Sequence, residues 1–381
     1  MTHDSITVSS KGKAVYDIPA KRIVLEYPEL SGRPEVCMSQ TNDGYIWAAI
    51  GFNTGQQGSL EHINQERIFY SSTRGESWQS TPISPTGHRR MCGFTILSDD
   101  TFLITVGKDR RQTESNELQL YSSNNRGDTW KLISTITADP YEHIAGSFES
   151  ITETNLGTVL LPAVRHSEDG LNEPKSHVLF RSENRGSTWQ DPLVTFNDVY
   201  EPHIIQLHSG KLLGAFRYQR GALQNESSDG LQAMGAGPLK PVKNIPGSGQ
   251  FVFKHVFVAD SFDDGLTWNN LRPAKTKEGV PLVEYGQCHG QLTQINDGRI
   301  VLVHDSRYPY EQAETVARVS QDDGNTWMEE AFHITEGHGY PASTSLSDNT
   351  LITVTGTTIF DPQARLIGNW KVEAVIWQLP F

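Results

Sequence analysis

The chain has 381 residues, a formal net charge of −13, 33 glycines, 19 prolines and three cysteines. The acidic balance excludes generic nucleic-acid binding, which relies on basic surface to neutralise phosphate, and no stretch approaches the continuous apolar run that a membrane span needs. Cys37, Cys92 and Cys288 are odd in number and lack metal-type spacing, so buried free thiols are expected in place of a disulfide scaffold or a zinc site, and no cofactor is expected.

From the amino terminus, Met1 to Val8 shows no basic segment followed by an apolar one, so a secretory signal is not expected and the chain reads as cytoplasmic. The run from Ile6 to Val15 suits a strand. Two short patterns then alternate along the chain. Turn signals flanked by apolar or alternating runs occur at Asn42-Asp43-Gly44, Ser98-Asp99-Asp100, Asn155-Leu156-Gly157, His208-Ser209-Gly210, Asn296-Asp297-Gly298 and Ser347-Asp348-Asn349, and each reads as a β-hairpin. Between them fall Ser71 to Trp78, Ser123 to Trp130, Ser182 to Trp189, Ser261 to Trp268 and Ser320 to Trp327, all of the form Ser-x-Asp/Asn/Thr-x-Gly-x-Ser/Thr-Trp. A short polar side chain bonding the backbone, a glycine for the strained dihedral and a packing tryptophan suit a tight turn. Val372 to Leu379 reads as one more strand, for which the Ile6 to Val15 run is the expected partner.

Units recurring at this spacing declare a repeat fold. The eight-residue pattern resembles the Asp box, or BNR repeat, of sialidases and their β-propeller relatives. The expected fold is therefore all-β: a single domain over residues 1–381, a six-bladed propeller with four antiparallel strands per blade, its ring closed by amino- and carboxy-terminal strands. In such blades the hairpin turns and the boxes share one face. The opposite face carries the starts of first strands and the ends of second strands, and binding groups accumulate on such loops. These positions hold Arg33 with Glu35, Arg90, Glu149, Glu201 with His203, His289 and Tyr340, and at second-strand ends Arg165, Arg217 with Arg220, and Asp305 with Arg307. Singly, each reads first as a surface charge or a satisfied structural ion pair. Together, several arginines facing one mouth repel one another unless an anion sits between them.

The resemblance to sialidases extends to individual residues. That family holds a substrate carboxylate with three arginines, uses a tyrosine nucleophile paired with a glutamate, and employs an aspartate as acid/base. The arginines correspond to Arg33 in Gly32-Arg33-Pro34-Glu35, Arg217 at the end of Glu201 to Arg217, and Arg307 in Val303-His304-Asp305-Ser306-Arg307; the glutamate corresponds to Glu201 and the tyrosine to Tyr340 in Gly339-Tyr340-Pro341. Paired planar hydrogen bonds make arginine the natural carboxylate clamp, and a protonated phenol needs a neighbouring base such as Glu201. Arg90, Glu149 and His289 are further candidates for substrate contact.

The family's aspartate is absent: Gly51 to Arg67 contains none, and Glu61 or His62 is the expected replacement. This departure keeps other activities open. An exo-arabinan-type hydrolase would use Glu149 and Glu201 as a carboxylate pair; a uronate-directed lyase would use Tyr340 or His289 to abstract a proton; a non-catalytic glycan-binding propeller would need only arginines and stacking aromatics. The long Gly- and Pro-rich stretch from Arg220 to Gln250 is expected to form a lid or subsite wall favouring exo action on a terminal sugar. The expected partner is an oligosaccharide or glycoconjugate substrate, with neither nucleic acid nor membrane.

Overall fold

A computed structural model describes residues 6–8, 14–26, 33–53, 66–82, 90–107, 117–137, 139, 143–145, 151–166, 176–237, 240, 251–282, 285–308, 312–337, 339–357 and 371–380. The strands form six sheets. The first runs Arg33–Gln40, Ile46–Asn53, Arg67–Ser71, Gln79–Pro82, and the second Arg90–Ile96, Phe102–Gly107, Glu117–Ser123, Lys131–Thr137. In the third, His143–Ala145 and Thr152–Glu153 both pair with Val159–His166, followed by Ser176–Ser182 and Leu193–Asn197. The fourth is Val199–Gln206, Leu212–Arg220, Phe253–Ser261, Asn269–Pro273. The fifth contains Gln287–Gln294, Ile300–Ser306, Glu314–Ser320, Ala331–Glu336, and the sixth Ala342–Ser345, Leu351–Thr357, Lys371–Trp377, Ala20–Glu26. The fold is a six-bladed β-propeller of four-stranded antiparallel blades, with one short helix, Ser228–Ala233, among the described residues.

Closure by an amino-terminal strand is as expected, but the strand differs. Ala20–Glu26 completes the sixth sheet, Ala20 opposite Trp377 and Glu26 opposite Val372. Ile6–Val8 and Ala14–Asp17 instead pair with each other and extend the fifth sheet, Ala14–Asp17 running parallel to Ala331–Glu336. An edge strand buries little, so both runs carry equally faint apolar patterns and side-chain partners decide between them. Arg22 reaches Glu373 at 3.6 Å in the sixth sheet, whereas Val15 packs on Val316 and Ala331, and Tyr16 stacks on Phe332 at 4.9 Å.

All five boxes make one hydrogen-bond pattern. The leading serine hydroxyl accepts from the glycine N–H at 2.9, 2.9, 2.8, 3.0 and 3.0 Å in chain order. The third residue accepts from the seventh N–H at 2.8, 3.0, 2.8, 2.8 and 2.8 Å. The left-handed conformation falls on two consecutive residues: Arg74, Arg126, Arg185, Asp264 and Asp323 have φ of 56–61°, each followed by the box glycine. Since the residue before glycine faces outward, its side chain reaches a neighbouring blade. Arg126 bonds Asp43 at 2.6 Å and lies over the Tyr45 ring, Arg185 bonds Asp99, and Asp264 pairs with buried Arg181 at 3.0 Å. Box and hairpin turns are thereby committed to joining blades.

The chain divides into two compact units: Met1–Ser31, Leu213–Asp260 and Asn269–Phe381 in one, Gly32–Leu212 and Ser261–Trp268 in the other. Each has apolar layers between neighbouring sheets. In the second, Cys37, Trp47, Met91, Phe94 and Phe102 form one such layer; in the first, Val303, Phe332, Leu351, Val375 and Trp377 form another. All three cysteines are buried free thiols.

Candidate functional site

In the unit containing the fifth and sixth sheets, the sheet ends opposite the boxes carry a dense polar cluster. Second strands deliver Arg217 and Asp305, with Arg307 just beyond the strand end; first strands deliver His289 and, two residues before Ala342–Ser345, Tyr340. Period-2 alternation puts Asp305 and Arg307 on the same side, and Arg307 Nε donates to Asp305 Oδ2 at 2.9 Å with both residues buried. So held, the Arg307 guanidinium carbon lies 5.0 Å from the centroid of the Tyr340 ring. The His289 ring meets the same tyrosine edge-on at 4.2 Å, and the Gln291 amide lies 3.0 Å from His289 Nε2. Tyr340 is only 3% exposed. Its neighbour Gly339 is packed against backbone: a Cβ there would lie 2.6 Å from Gly356 N and 2.8 Å from Gly356 O, so the residue before the tyrosine must be glycine for the two segments to approach.

Arg217 donates to Gln219 at 2.7 Å. Within electrostatic range of both Arg217 and Arg307 is a residue that the sequence reading passed over, Lys254, 6% exposed in the fully buried strand Phe253–Ser261. Its ammonium lies 5.6, 6.0 and 5.3 Å from the ring centroids of Phe251, Tyr285 and Tyr308. Burial pulls its pKa down to about 8, with repulsion from Arg217 and Arg307 adding to the fall and the Cys288 sulfur opposing it. The available signal was a lone lysine in the apolar run Phe251-Val252-Phe253-Lys254.

The stretch expected as a lid is partly helical. Ser227 caps Ser228–Ala233 by accepting from Gly230 N, and Leu231 packs on Val252, Phe253 and Tyr218. Arg220 grips Glu226 with two bonds of 2.7 and 2.6 Å, which drives the arginine pKa up and holds the glutamate below its usual range. Gly237 lies against Tyr285, where a Cβ would meet the ring at 2.1 Å. The segment thus packs onto the aromatic wall around Lys254. Apart from residue 240, residues 238–250 lie outside the described residues.

In the other unit, Glu201 is the third residue of Val199–Gln206, as His289 is of Gln287–Gln294. Their φ values of 41° and 49° are the smallest among the non-glycine residues with positive φ, a strain of about 1–3 kcal/mol each. His203, two residues on, is buried, and burial lowers its pKa to about 4. Glu35 is 5% exposed, opposite Gly51. The backbones of Arg33 and Arg90 pair with Asn53 and Gly107; their side chains, and the whole of Glu61 and Glu149, lie outside the described residues. Glu66, at the end of the connection searched for an acid, is buried, and both its oxygens accept from Met91 N, at 3.1 and 3.0 Å. Of the nominated residues, then, the structure brings Arg307 and His289 onto the Tyr340 ring, while Arg217 and Arg307 both act electrostatically on Lys254. Among the described residues no group of three or more His, Cys, Asp or Glu side chains is arranged to hold a metal ion.

A sequence profile for a BNR repeat-like domain matches residues 52–246. None of the curated proteins compared matches the chain. Among solved structures, a protein of unknown function from Dyadobacter fermentans superposes with a TM-score of 0.64 at 13% identity, covering 94% of this chain and 98% of that one. An α-L-arabinofuranosidase from Fusarium graminearum, in complex with an iminosugar inhibitor, gives 0.62 at 13% identity over 99% and 98%. The sialidase of Trypanosoma rangeli, solved as the covalent intermediate with 2,3-difluorosialic acid, gives 0.58 at 13% identity, covering 98% of this chain and 56% of that one. The chain therefore spans little more than half the length of that sialidase.

Proposed function

Because the chain belongs to the BNR repeat-like domain family, we propose that it is an exo-acting glycoside hydrolase removing a terminal acidic, sialic-acid-like sugar with retention of anomeric configuration. The observation that carries this reading is the buried Asp305–Arg307 pair holding a guanidinium against Tyr340, with His289 on the same ring and Arg217 nearby. Arg217 and Arg307 bind the sugar carboxylate by charge-assisted hydrogen bonds. Tyr340 then attacks the anomeric carbon through its phenol oxygen. A neutral phenol avoids the like-charge repulsion that a carboxylate nucleophile would meet beside the substrate's own carboxylate, and the Arg307 cation favours the negative charge that builds on the phenol oxygen as its proton leaves. As the phenol oxygen bonds to the anomeric carbon, its proton passes to the base, the bond to the aglycone oxygen breaks and the aglycone leaves as an alcohol with a proton from the acid; water then adds to the anomeric carbon of the tyrosyl glycoside, releasing the sugar and returning the proton to the phenol. For the base and the acid the sequence nominates Glu201 and Glu61, each tested by its own amide substitution.

The test is a screen of the purified protein against chromogenic sialosides, uronides and arabinosides, with absorbance of unsaturated products followed in parallel. Release from sialosides alone is expected. Tyr340→Phe should then keep substrate affinity and lose turnover by about a thousandfold or more; undiminished turnover would remove Tyr340 from the mechanism. A second reading, an exo-acting hydrolase of neutral sugars using Glu149 and Glu201, is favoured by the end-to-end coverage of the Fusarium graminearum arabinofuranosidase, and arabinoside release would select it.

A further inference from the structure

We propose that Gln291 is a positioning residue for the tyrosine chemistry: by donating its amide N–H to His289 Nε2 it places the imidazole proton on Nδ1 and, through the His289 ring, holds the Tyr340 ring at the angle its reaction needs. The inference rests on the reading of Tyr340 as nucleophile and adds to it a residue that acts through another.

The arrangement begins with a break in strand register. Where Gln287–Gln294 pairs with Ile300–Ser306, Cys288 lies opposite Asp305 and Gln291 opposite Val303, so His289 and Gly290 together face the single residue His304. A β-bulge of this kind bends its strand and re-aims a side chain, and bulges are over-represented next to active sites. His289 takes the left-handed conformation there, with φ of 49°, which a residue other than glycine holds only where its surroundings impose it. At Gly290 those surroundings are close: a Cβ would stand 2.6, 3.1 and 3.2 Å from side-chain atoms of Val256, Leu302 and Ala215. The bulge is therefore packed against neighbouring strands, and the direction of the His289 side chain is set by the backbone.

The state of the ring is set by Gln291. His289 and Gln291 are 1% and 2% exposed, and the Gln291 amide nitrogen lies 3.0 Å from His289 Nε2. An amide nitrogen donates and does not accept, so Nε2 is the unprotonated nitrogen and the proton resides on Nδ1. Protonating Nε2 would set two N–H groups against each other, so the same bond disfavours the imidazolium. The neutral ring then meets Tyr340 with centroids 4.2 Å and planes 71° apart, the edge-to-face arrangement that aromatic pairs favour. From the other side Arg307, fixed by Asp305, lies 5.0 Å from the same ring. The nucleophile is thus located by two side chains, each anchored by a residue two positions away: Arg307 by Asp305 and His289 by Gln291. A misplacement of about 1 Å in a reacting group costs up to about a hundredfold in rate.

The experiment reads tautomer and kinetics together. Long-range 1H–15N NMR of the full chain labelled with 15N-histidine distinguishes Nδ1–H, Nε2–H and imidazolium at pH 7, with the His289 signals assigned by their loss in His289→Asn. The unaltered protein should show Nδ1–H. Gln291→Met, similar in length but without the amide, should lose the single tautomer and about ten- to a hundredfold of kcat while KM stays, because the groups that bind the sugar are untouched. In Gln291→Glu, whose ionised carboxylate accepts from Nε2–H, kcat should follow the tautomer: retained with Nδ1–H, lost without it. An Nε2–H or imidazolium signal in the unaltered protein, Nδ1–H persisting in both variants, or a variant whose kcat does not follow its tautomer overturns the role of Gln291, while sialoside release keeps the acidic-sugar reading standing. If the unaltered protein cleaves no sialoside, or Tyr340→Phe keeps full turnover, that reading fails and the positioning role with it, whatever the tautomer. Should Gln291→Met not fold, the unaltered protein and Gln291→Glu still decide.

Discussion

Removing the Asp305 carboxylate should cost the protein more than any surface charge. Asp305 is 0% exposed and Arg307 5%, and Nε lies 2.9 Å from Oδ2. At that separation, with an effective dielectric constant near 20, the attraction is about 6 kcal/mol before desolvation. Breaking a buried pair by deleting one partner strands the other charge and costs about 3–5 kcal/mol. Asp305→Ala is therefore expected to lower unfolding free energy by that amount, and Arg307→Met by a similar amount. The double variant should cost at least 2 kcal/mol less than the sum, since no charge is then stranded. Urea titrations followed by tryptophan fluorescence measure all three. A cost under about 1 kcal/mol for Asp305→Ala, with additive effects in the double variant, would show that Asp305 does not hold Arg307 and would remove the guanidinium's support against Tyr340.

Gly339→Ala should destabilise by about 1–3 kcal/mol and depress turnover, because its Cβ would stand 2.6–2.9 Å from Gly356 backbone atoms that have no rotamer to yield; unchanged stability and activity would show that the Tyr340 segment is not wedged there. Ser182→Ala strips the acceptor from Gly186 N, bonded at 2.8 Å inside a buried box, and should cost about 1–3 kcal/mol with faster amide exchange across Ser182 to Trp189; unaltered exchange would refute the shared box geometry. His177, His203 and His255 are held neutral by burial, with pKa values lowered to about 3, 4 and 4. The unfolded chain binds protons below about pH 6.5 that the folded one refuses, so stability is full above that pH. It should decline toward pH 4 at up to about 1.4 kcal/mol per pH unit per imidazole; identical urea midpoints at pH 7.5 and 5 would contradict it.

How much was legible beforehand varies with the range of the interaction. A box is closed within eight residues, so Ser, Asp or Asn, Gly and Trp at fixed offsets announce it wherever the chain carries it; the same holds for the six hairpin turns. Their alternation was enough to count the blades. The terminal edge was less legible because Ala20–Glu26 and Ile6 to Val15 carry similar faint patterns, and the choice lay in partners more than 300 residues away, such as Glu373 for Arg22.

The sequence by itself therefore determined the repeat, the all-β class and the residue types offered at the strand ends opposite the boxes. Only the tertiary structure decided which of them meet. Tyr340, Arg307 and His289 come from separate strands, and their contact is a product of sheet register and blade packing that no short window encodes. Lys254 went unnoticed for the same reason: a lysine in an apolar strand becomes chemically unusual only when burial and two distant arginines act on it, and solvation and Coulomb forces depend on position in space, not on position along the chain.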